Sequence, residues 1–140
     1  MAGEFSARRL KAKRKKYRWK KVKYREKMLQ LNKKSISGGA PQVRGIVLEK
    51  KVIEQKQPHS GLIKAVRVRI LKNGKEVTAF VPRTGAINHI SEHDQVLLEG
   101  LGGSQGGAVG SMWGVKWRVI EVNGIPLELL RTGKKQRPVK

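Results

Sequence analysis

The chain is short and strongly basic: its 140 residues carry 32 Lys and Arg against 10 Asp and Glu, for a formal net charge of +22. Such an excess favours a polyanionic partner, nucleic acid first and an anionic membrane surface second, and argues against an ordinary cytosolic enzyme. The absence of cysteine excludes disulfides, thiolate catalysis and cysteine-type zinc sites. No apolar run approaches a membrane span and no apolar signal region opens the chain, so we expect an intracellular protein, soluble or assembled.

The positive charge is concentrated at the two ends of the chain. The first 34 residues contain 15 basic and 2 acidic residues, the last ten contain 5 basic and no acidic residues, and the stretch between them contains 12 and 8. The corresponding charges are +13, +5 and +4. The sequence therefore predicts a basic N-terminal extension and linker over residues 1–37, a folded domain over residues 38–130 and a basic tail over residues 131–140.

The N-terminal extension has the composition of a helix. Ala7–Leu31 contains no Gly or Pro, and Lys, Arg, Leu, Met and Ala predominate. Tyr17, Tyr24, Met28 and Leu31 recur at the spacing of a narrow apolar stripe. Because like charges four residues apart oppose a free helix, we expect fraying in isolation and ordering against phosphate. The alternatives are a solvated tail and a helix that lies on a membrane surface. The membrane-surface helix is disfavoured because basic residues surround the helix axis instead of occupying one side.

A linker and five short strands are predicted for the middle of the chain. The linker, Ser35–Gln42, is rich in small residues and contains a proline. The five predicted strands are Gly45–Ile53, Lys64–Lys72, Lys75–Val81, Gln95–Leu101 and Val115–Asn123. Asn73-Gly74 predicts a tight type I′ hairpin between the second and third strands. Residues 83–93 are polar with a short apolar patch and predict one turn of helix.

The segment Gln55–Arg69 combines a polar loop with a strand that has a cationic face. Pro58 restricts the backbone of the loop. On the strand that follows, apolar residues alternate with Arg67 and Arg69. This arrangement suits contact with a polyanion, and the alternative is an ordinary surface loop before an antiparallel strand.

Five short strands with glycine-rich corners predict an all-β domain, flanked by a long basic N-terminal arm, helical or extended, and a basic C-terminal tail. The leading architecture is the five-stranded oligonucleotide-binding barrel (OB-fold), with an SH3-like barrel as the alternative. Residues 100–114 hold seven glycines but neither a Walker loop nor a dinucleotide fingerprint. Backbone amides of glycine residues, which have no side chain in the way, can approach phosphates closely. The equal alternative is that this segment is only a flexible connection between two strands.

One short segment matches an enzyme signature. His89–His93 reads H-x-x-E-H, an inverted zinc-peptidase pattern. That chemistry needs both histidines on one long helix and a third ligand, whereas this segment has room for one or two turns and His59 is distant. No nucleophile–base–acid set is apparent around Ser60. We therefore expect no catalysis, no metal site and no cofactor, with Mg²⁺ only at an RNA interface.

Eight segments of the chain carry a family resemblance. They are Gln42–Glu54, Lys56–Ser60, Ala65–Val68, Lys72–Gly74, Val77–Pro82, Ser91–Val96, Val122–Gly124 and Gly133–Pro138. In this order they resemble the universal small-subunit ribosomal protein S-twelve family, and the basic N-terminal helix places the chain with its archaeal and eukaryotic branch. The resemblance implies an OB-fold barrel whose two loops lie at the decoding centre, where they support the RNA bases that inspect the codon–anticodon helix.

The resemblance assigns RNA contacts to two loops, and the charge of the chain adds the basic arms. The predicted contact residues of the first loop are Lys56, Gln57, Pro58, His59, Ser60 and Lys64. Those of the second loop are Gly110, Ser111, Trp113, Gly114 and Lys116. For the arms, their charge predicts ribosomal-RNA contacts at Arg8, Arg9, Lys13, Arg14, Lys16, Arg18, Lys20, Lys21, Lys134, Lys135 and Arg137.

The two loops also depart from the family pattern. In the first loop His59 stands where the family has Asn, and Ile63 where it has Arg. In the second loop Ser111 and Trp113 stand where the family has Asp and Pro. Trp113 is predicted either to stack on an unpaired base or to plug the end of the barrel.

The resemblance implies a structural constituent of the small ribosomal subunit that binds ribosomal RNA near the decoding centre and supports translational accuracy. The expected partners are small-subunit ribosomal RNA, neighbouring ribosomal proteins, messenger and transfer RNA and translation factors, and not a membrane. The expected location is the cytoplasm, in the ribosome. The alternative is a free single-stranded RNA-binding or initiation-type factor with the same barrel, and a peptidase is a distant third. The basic arms favour the permanent component, which threads its extensions between RNA helices.

Overall fold

A computed structural model describes residues 3–138 of the chain. The outermost parts of the predicted extension and tail, residues 1–2 and 139–140, lie outside the described residues. The chain divides into two compact units, Met1–Gly39 and Ala40–Lys140. Among residues 3–138, none of the helices combines the length and the apolar character needed to cross a membrane.

The first unit contains three consecutive helices. They are α1 (Ser6–Lys20), α2 (Val22–Leu29) and α3 (Leu31–Lys34). The helices are separated at Lys21, whose ψ of 122° is extended, and at Gln30, whose φ of 51° is left-handed. The prediction over Ala7–Leu31 is therefore confirmed as helix, and wrong in expecting one continuous helix.

The charge pattern is compatible with an end of helix α1 at Lys20. A helix that ends there has Arg18 and Lys20 in its last turn, beside the negative end of its dipole. The predicted apolar stripe does not bury a core, because Tyr17, Met28 and Leu31 are all exposed. None of the residues in α1, α2 or α3 is buried.

The second unit is mostly β and confirms the five predicted strands. The strands are β1 (Gln42–Glu54), β2 (Leu62–Ile70), β3 (Glu76–Phe80), β4 (Gln95–Gly100), β5 (Trp117–Val122) and the short β6 (Ile125–Pro126). Their order is β3-β2-β1-β4-β5-β6, and β3 also pairs with β5. Strands β1 to β5 thus form a closed ring of hydrogen-bonded neighbours, called the strand ring below. Its pairs are antiparallel except β3–β5, which is parallel.

Strand β1 serves two neighbours and so allows the ring to close. Its first residues, from Gln42 to Ile46, pair with β4, and its longer remainder, from Gly45 to Glu54, pairs with β2. The register with β2 shifts between Val47 and Glu49, which marks a β-bulge or irregularity. A bulge bends a strand and increases its twist, as a strand that spans two parts of a closed sheet requires.

The predicted inward faces of the strands are confirmed. Val66, Val68 and Ile70 of β2 are fully buried, and Val77 and Ala79 of β3 are buried beside them. The apolar face of each strand contributes to one core, because side chains two apart point to the same side. The remaining core residues include Val43, Val47, Ile90, Val96, Leu98, Val119, Val122, Leu127 and Leu130.

The connection between β2 and β3 differs from the predicted turn. Ile70 N–H donates to the Lys75 carbonyl at 2.8 Å, and Gly74 N–H donates to the Ile70 carbonyl at 2.9 Å. Four residues, 71–74, therefore form the loop. Gly74 has a φ of 69°, whereas Asn73 is not among the residues with positive φ. A type I′ turn requires positive φ at both central residues. The predicted hairpin is therefore confirmed at this position, but the prediction of a type I′ turn is wrong.

The segment that follows β3 confirms the predicted turn of helix. A 3-10 helix covers Ala86–His89 and ends there, while His93 has a left-handed φ of 66°. The histidines of the H-x-x-E-H segment therefore do not share the helix that the zinc-peptidase pattern requires. Within the part of the chain that the structure describes, no group of three or more His, Cys, Asp or Glu comes together to hold a metal ion.

Two elements near the C-terminus were not predicted, β6 and the helix α4 (Leu127–Arg131). Helix α4 buries Leu127 and Leu130, which lie on one face because they are three residues apart. The Arg131 guanidinium donates to the Glu128 carboxylate at 2.5 Å and lowers the pKa of that carboxyl. The signal for α4 was the leucine spacing directly after Pro126.

One residue of the basic tail, Arg137, is bound to the side chains of a segment that precedes β4. The guanidinium of Arg137 donates to the Asp94 carboxylate and to the Ser91 hydroxyl, both at 2.5 Å. Asp94 is 1% exposed, and its other carboxylate oxygen accepts a hydrogen bond from Ser91 N–H at 2.8 Å. We call Ser91, Asp94 and Arg137 the tail clasp.

Candidate nucleic-acid interface

Two loops of the second unit are each closed by a backbone hydrogen bond at their necks. Loop 1, residues 55–61, joins β1 to β2, and Gln55 N–H donates to the Gly61 carbonyl at 3.0 Å. Loop 2, residues 101–116, joins β4 to β5, and Leu101 N–H donates to the Lys116 carbonyl at 2.9 Å. These are the two segments in which the resemblance predicts RNA contacts.

The two loops share one small apolar base. Its buried members are Ile63, Met112 and Val115, and the partly buried residues packed against them are Ile53, Phe80 and Leu101. Ile53 and Ile63 flank loop 1, whereas Met112 and Val115 belong to loop 2. This packing brings the two predicted loops together, although 39 residues, 62–100, lie between the end of loop 1 and the start of loop 2.

Trp113 adds a polar link between the loops. Its indole Nε1–H donates to the backbone carbonyl of Glu54, the last residue of β1, at 3.2 Å. Trp113 is 56% exposed, whereas the neighbouring Met112 is 8% exposed. Met112 therefore takes the buried position that the plugging alternative gave to Trp113. Stacking of the exposed indole on a base stays a prediction.

The predicted residues of loop 1 are all at the surface. Lys56, Gln57, Pro58, His59 and Ser60 are exposed, and so is Lys64 on the adjoining strand. The loop contains a tight turn in which His59 N–H donates to the Lys56 carbonyl at 2.9 Å, and the Gln57–Pro58 peptide is cis. Backbone, hydroxyl and ammonium groups are thus presented together on one short loop.

Loop 2 is compact at one of its six glycines. A Cβ atom on Gly103 would lie 2.2 Å from the Gly107 carbonyl oxygen and 2.7 Å from that of Ala108, so only glycine fits there. The other predicted residues of this loop, Gly110, Ser111, Gly114 and Lys116, are exposed. Phosphate binding and flexible connection both stay open as interpretations of the remaining glycines.

The cationic face predicted for β2 is partly neutralised. Arg67 and Arg69 both pair with Glu76 of β3, at 3.4 and 3.3 Å. Such exposed pairs contribute little to stability, yet they reduce the positive charge that this face offers to RNA. The exposed Lys56, Lys64 and Lys116 carry the charge of the loop region instead.

The predicted RNA-binding residues of the arms differ in how they are placed. The eight basic residues predicted in the N-terminal arm are all exposed: Arg8, Arg9, Lys13, Arg14, Lys16, Arg18, Lys20 and Lys21. In the tail Lys134 and Lys135 are exposed, whereas Arg137 is engaged in the tail clasp. RNA contacts at all of these positions stay predictions.

A family model described as ribosomal protein S12/S23 matches residues 30–140, more than three quarters of the chain. The chain belongs to this family. Membership in the ribosomal protein S12/S23 family implies a structural role in the small ribosomal subunit, in association with its RNA and proteins. It supports the ribosomal alternative over a free RNA-binding factor, and proteins of this family are generally not enzymes.

The ribosomal protein S12/S23 match contains both loops and the tail clasp but begins at residue 30. Helices α1 and α2 therefore lie outside it, and their interpretation rests on their own charge and structure. Sequence reasoning missed two residues that the structure makes important, Met112 in the shared base and Asp94 in the tail clasp. Each carried a signal: Met112 is one of the few large apolar residues within a glycine-rich run, and Asp94 directly precedes a strand.

Proposed function

We propose that loops 1 and 2 lie at the decoding centre of the small ribosomal subunit and support inspection of the codon–anticodon helix. The observation that carries the proposal is the shared apolar base, together with the bond from Trp113 to Glu54. These contacts hold two polar, cationic loops as one surface, and positional accuracy is what a surface that supports RNA bases needs. Both loops lie within the family match.

The ring order of the strands is compatible with an OB-fold barrel, and we assign the second unit to that fold. OB-folds bind nucleic acid through one strand face and adjoining loops, which agrees with the position of the candidate surface. The proposed organisation is an extension over residues 1–37, the barrel over residues 38–130 and a tail over residues 131–140. The basic helical arm supports placement with the archaeal and eukaryotic branch.

The arms are proposed to bind ribosomal RNA through phosphate. Exposed Lys and Arg side chains neutralise phosphates and release counterions, which makes such binding strong and salt-dependent. Messenger RNA, transfer RNA and translation factors are the proposed transient partners of the loop surface, in the cytoplasmic ribosome. Mg²⁺ is expected only at the RNA interface, and no other cofactor is proposed.

Substitution of Ser60 tests the decoding role. Ser60 presents an exposed hydroxyl on loop 1, and a hydrogen bond from such a group contributes about 0.5–1.5 kcal/mol, or roughly two- to tenfold in an equilibrium. Decoding compares closely matched states, so Ser60→Ala should change the misreading frequency measurably. The measurement is a misreading reporter in cells that carry only the variant.

The matched control is Ser60→Thr, which keeps the hydroxyl and should restore normal misreading. Subunit profiles are run alongside, because assembly depends on many other contacts and should be unaffected. Normal misreading in Ser60→Ala and in a variant that replaces Pro58 would contradict the proposal. Loss of small subunits would show instead that loop 1 is needed for assembly.

A further inference from the structure

The break between α1 and α2 gathers aromatic side chains from both helices. Lys21 is extended, so the chain changes direction between Lys20 and Val22. Trp19 and Tyr24, which precede and follow the break, are in contact: their ring centroids are 5.3 Å apart and their planes are at 81°. Rings at this angle form a corner, in which a flat group stacked on one ring meets the other at an edge.

A cavity of about 710 Å³ opens at this corner. Tyr17, Trp19 and Tyr24 form its aromatic wall, and five basic residues, Arg14, Lys15 and Arg18 among them, form the rest. The residues that line it include no acidic side chain. We call this cavity the helix-break cleft.

The aromatic residues of the cleft do not form a core. No residue of α1 or α2 is buried, and Trp19 keeps 37% of its surface exposed. Burying an aromatic ring is strongly favourable, so partly exposed rings grouped at one place leave apolar surface open to a partner. The Arg18 guanidinium lies over the Tyr24 ring, with its Cζ atom 5.3 Å from the ring centre.

We propose that the helix-break cleft binds an unpaired RNA base, which stacks on Trp19 or Tyr24 while Arg14, Lys15 and Arg18 hold the flanking phosphates. Two requirements of the cleft lead to this partner. Aromatic side chains stack on flat apolar groups, and five cations with no acidic neighbour in the cleft attract a polyanion. A nucleotide within an RNA chain supplies both a flat base and phosphates. Paired bases hide their faces within a duplex, so the base must be bulged or single-stranded. The inference rests on the proposed RNA-binding function and extends it to a residue-specific base site.

The test uses the full-length protein and an RNA hairpin that carries a single bulged 2-aminopurine, compared with the same hairpin fully paired. The protein should bind the bulged hairpin more tightly and quench the fluorescence of the bulged base. Alanine substitution of a stacking ring typically weakens binding by about five- to hundredfold, and we expect this loss for Trp19→Ala and Tyr24→Ala with the bulged hairpin. The salt dependence should be unchanged, because no phosphate contact is removed.

Two variants make the comparison specific. Phe5→Ala removes an exposed aromatic ring from the same arm outside the cleft and should bind both hairpins like the unmodified protein. Trp19→Phe keeps a stacking surface and should retain the preference for the bulge. Because the substituted residues are not buried in a core, the helicity of the variants should match that of the unmodified chain by circular dichroism.

Three results would overturn the inference. The first is equal affinity for bulged and paired hairpins, and the second is a Trp19→Ala variant that behaves like Phe5→Ala. The third is quenching that disappears in Trp113→Ala instead of Trp19→Ala, which would place the base on the loops. In each case salt-dependent RNA binding would persist and the proposed function would stand. Absence of salt-dependent binding to either hairpin would contradict the proposed function itself.

Discussion

The Trp113 side chain is held by one hydrogen bond and remains largely exposed to solvent. The hydrogen bond to Glu54 holds the indole nitrogen, and more than half of the residue remains exposed. A stacking surface is most useful when its orientation is set before the ligand arrives, since less ordering entropy is then lost on binding. One residue therefore connects the two loops and offers them a common flat surface.

Trp113→Phe should loosen loop 2 without removing its aromatic ring. The variant loses the Nε1–H donor, and a neutral hydrogen bond is worth about 0.5–1.5 kcal/mol. Opening of the loop should therefore increase by about two- to tenfold. Hydrogen exchange of residues 109–116 measures this change, with Trp19→Phe in the first unit as the control. Identical exchange in the two variants would show that the bond does not hold the loop.

Gly74 is required for its backbone conformation and not for space. Its φ of 69° is left-handed, and a Cβ atom at this position would meet nothing within 4 Å. Gly74→Val should cost about 1–3 kcal/mol, because β-branched residues are strained there. Gly74→Asn should cost less, since asparagine tolerates this region.

Thermal unfolding distinguishes these variants, because each kcal/mol lowers the Tm of a domain of this size by about 4–8 °C. Gly100→Val is the matched control: Gly100 also has open space around it but no left-handed φ. Equal Tm values for Gly74→Val and Gly100→Val would contradict the backbone argument.

At the scale of elements, the tail clasp joins two segments that are distant in sequence, Ser91–Asp94 and the tail residue Arg137. Asp94 precedes β4, Ser91 follows the 3-10 helix, and Arg137 lies beyond α4. The Asp94 carboxylate is buried, and a buried charge needs a counter-charge or hydrogen bonds to offset its desolvation. The clasp thus supplies charge compensation to the ring and fixes the position of the tail.

Arg137→Gln should destabilise the second unit. Hydrogen bonds to charged groups contribute about 1.5–3 kcal/mol, and the partial exposure of Arg137 places the expected loss toward the lower value. The Tm should fall by several degrees. Lys135→Gln is the control, because it removes the same charge from an exposed position of the same tail.

A double variant separates the clasp from general effects of charge. If Arg137 acts through Asp94, adding Asp94→Asn to Arg137→Gln should cost less than the sum of the single losses. Strict additivity, or a Lys135→Gln loss as large as that of Arg137→Gln, would contradict the clasp.

At the scale of the whole molecule, local patterns predicted the elements well. Alternating apolar residues located all five strands of the ring, and the absence of Gly and Pro located the helical arm. The contacts that build the site were harder to predict. The bond from Trp113 to Glu54, the pairing of Arg137 with Asp94 and the parallel β3–β5 pair all join residues far apart in the chain, and periodicity carries no information on such pairs.

The turn type at Asn73-Gly74 and the break at Lys21 show a second limit. In each case the sequence favoured one local conformation, and the folded chain adopts another. The loop residues were located through the family resemblance, but their shared apolar base depends on Met112, whose burial became visible only in the folded chain.

The strand ring closes only when Ala79 and Phe80 of β3 meet Trp117 and Arg118 of β5. A ribosome adds roughly 5–20 residues per second, so β3 leaves the exit tunnel seconds before β5. During that interval the nascent chain carries the charge of +13 on its first 34 residues, while the edge of β3 lacks its final partner. Free cations attract any nearby RNA, and an open edge invites pairing with other chains. Binding of the basic arm and of the β3 edge by a chaperone, or early binding to RNA, therefore matters most during synthesis, before β5 pairs with β3.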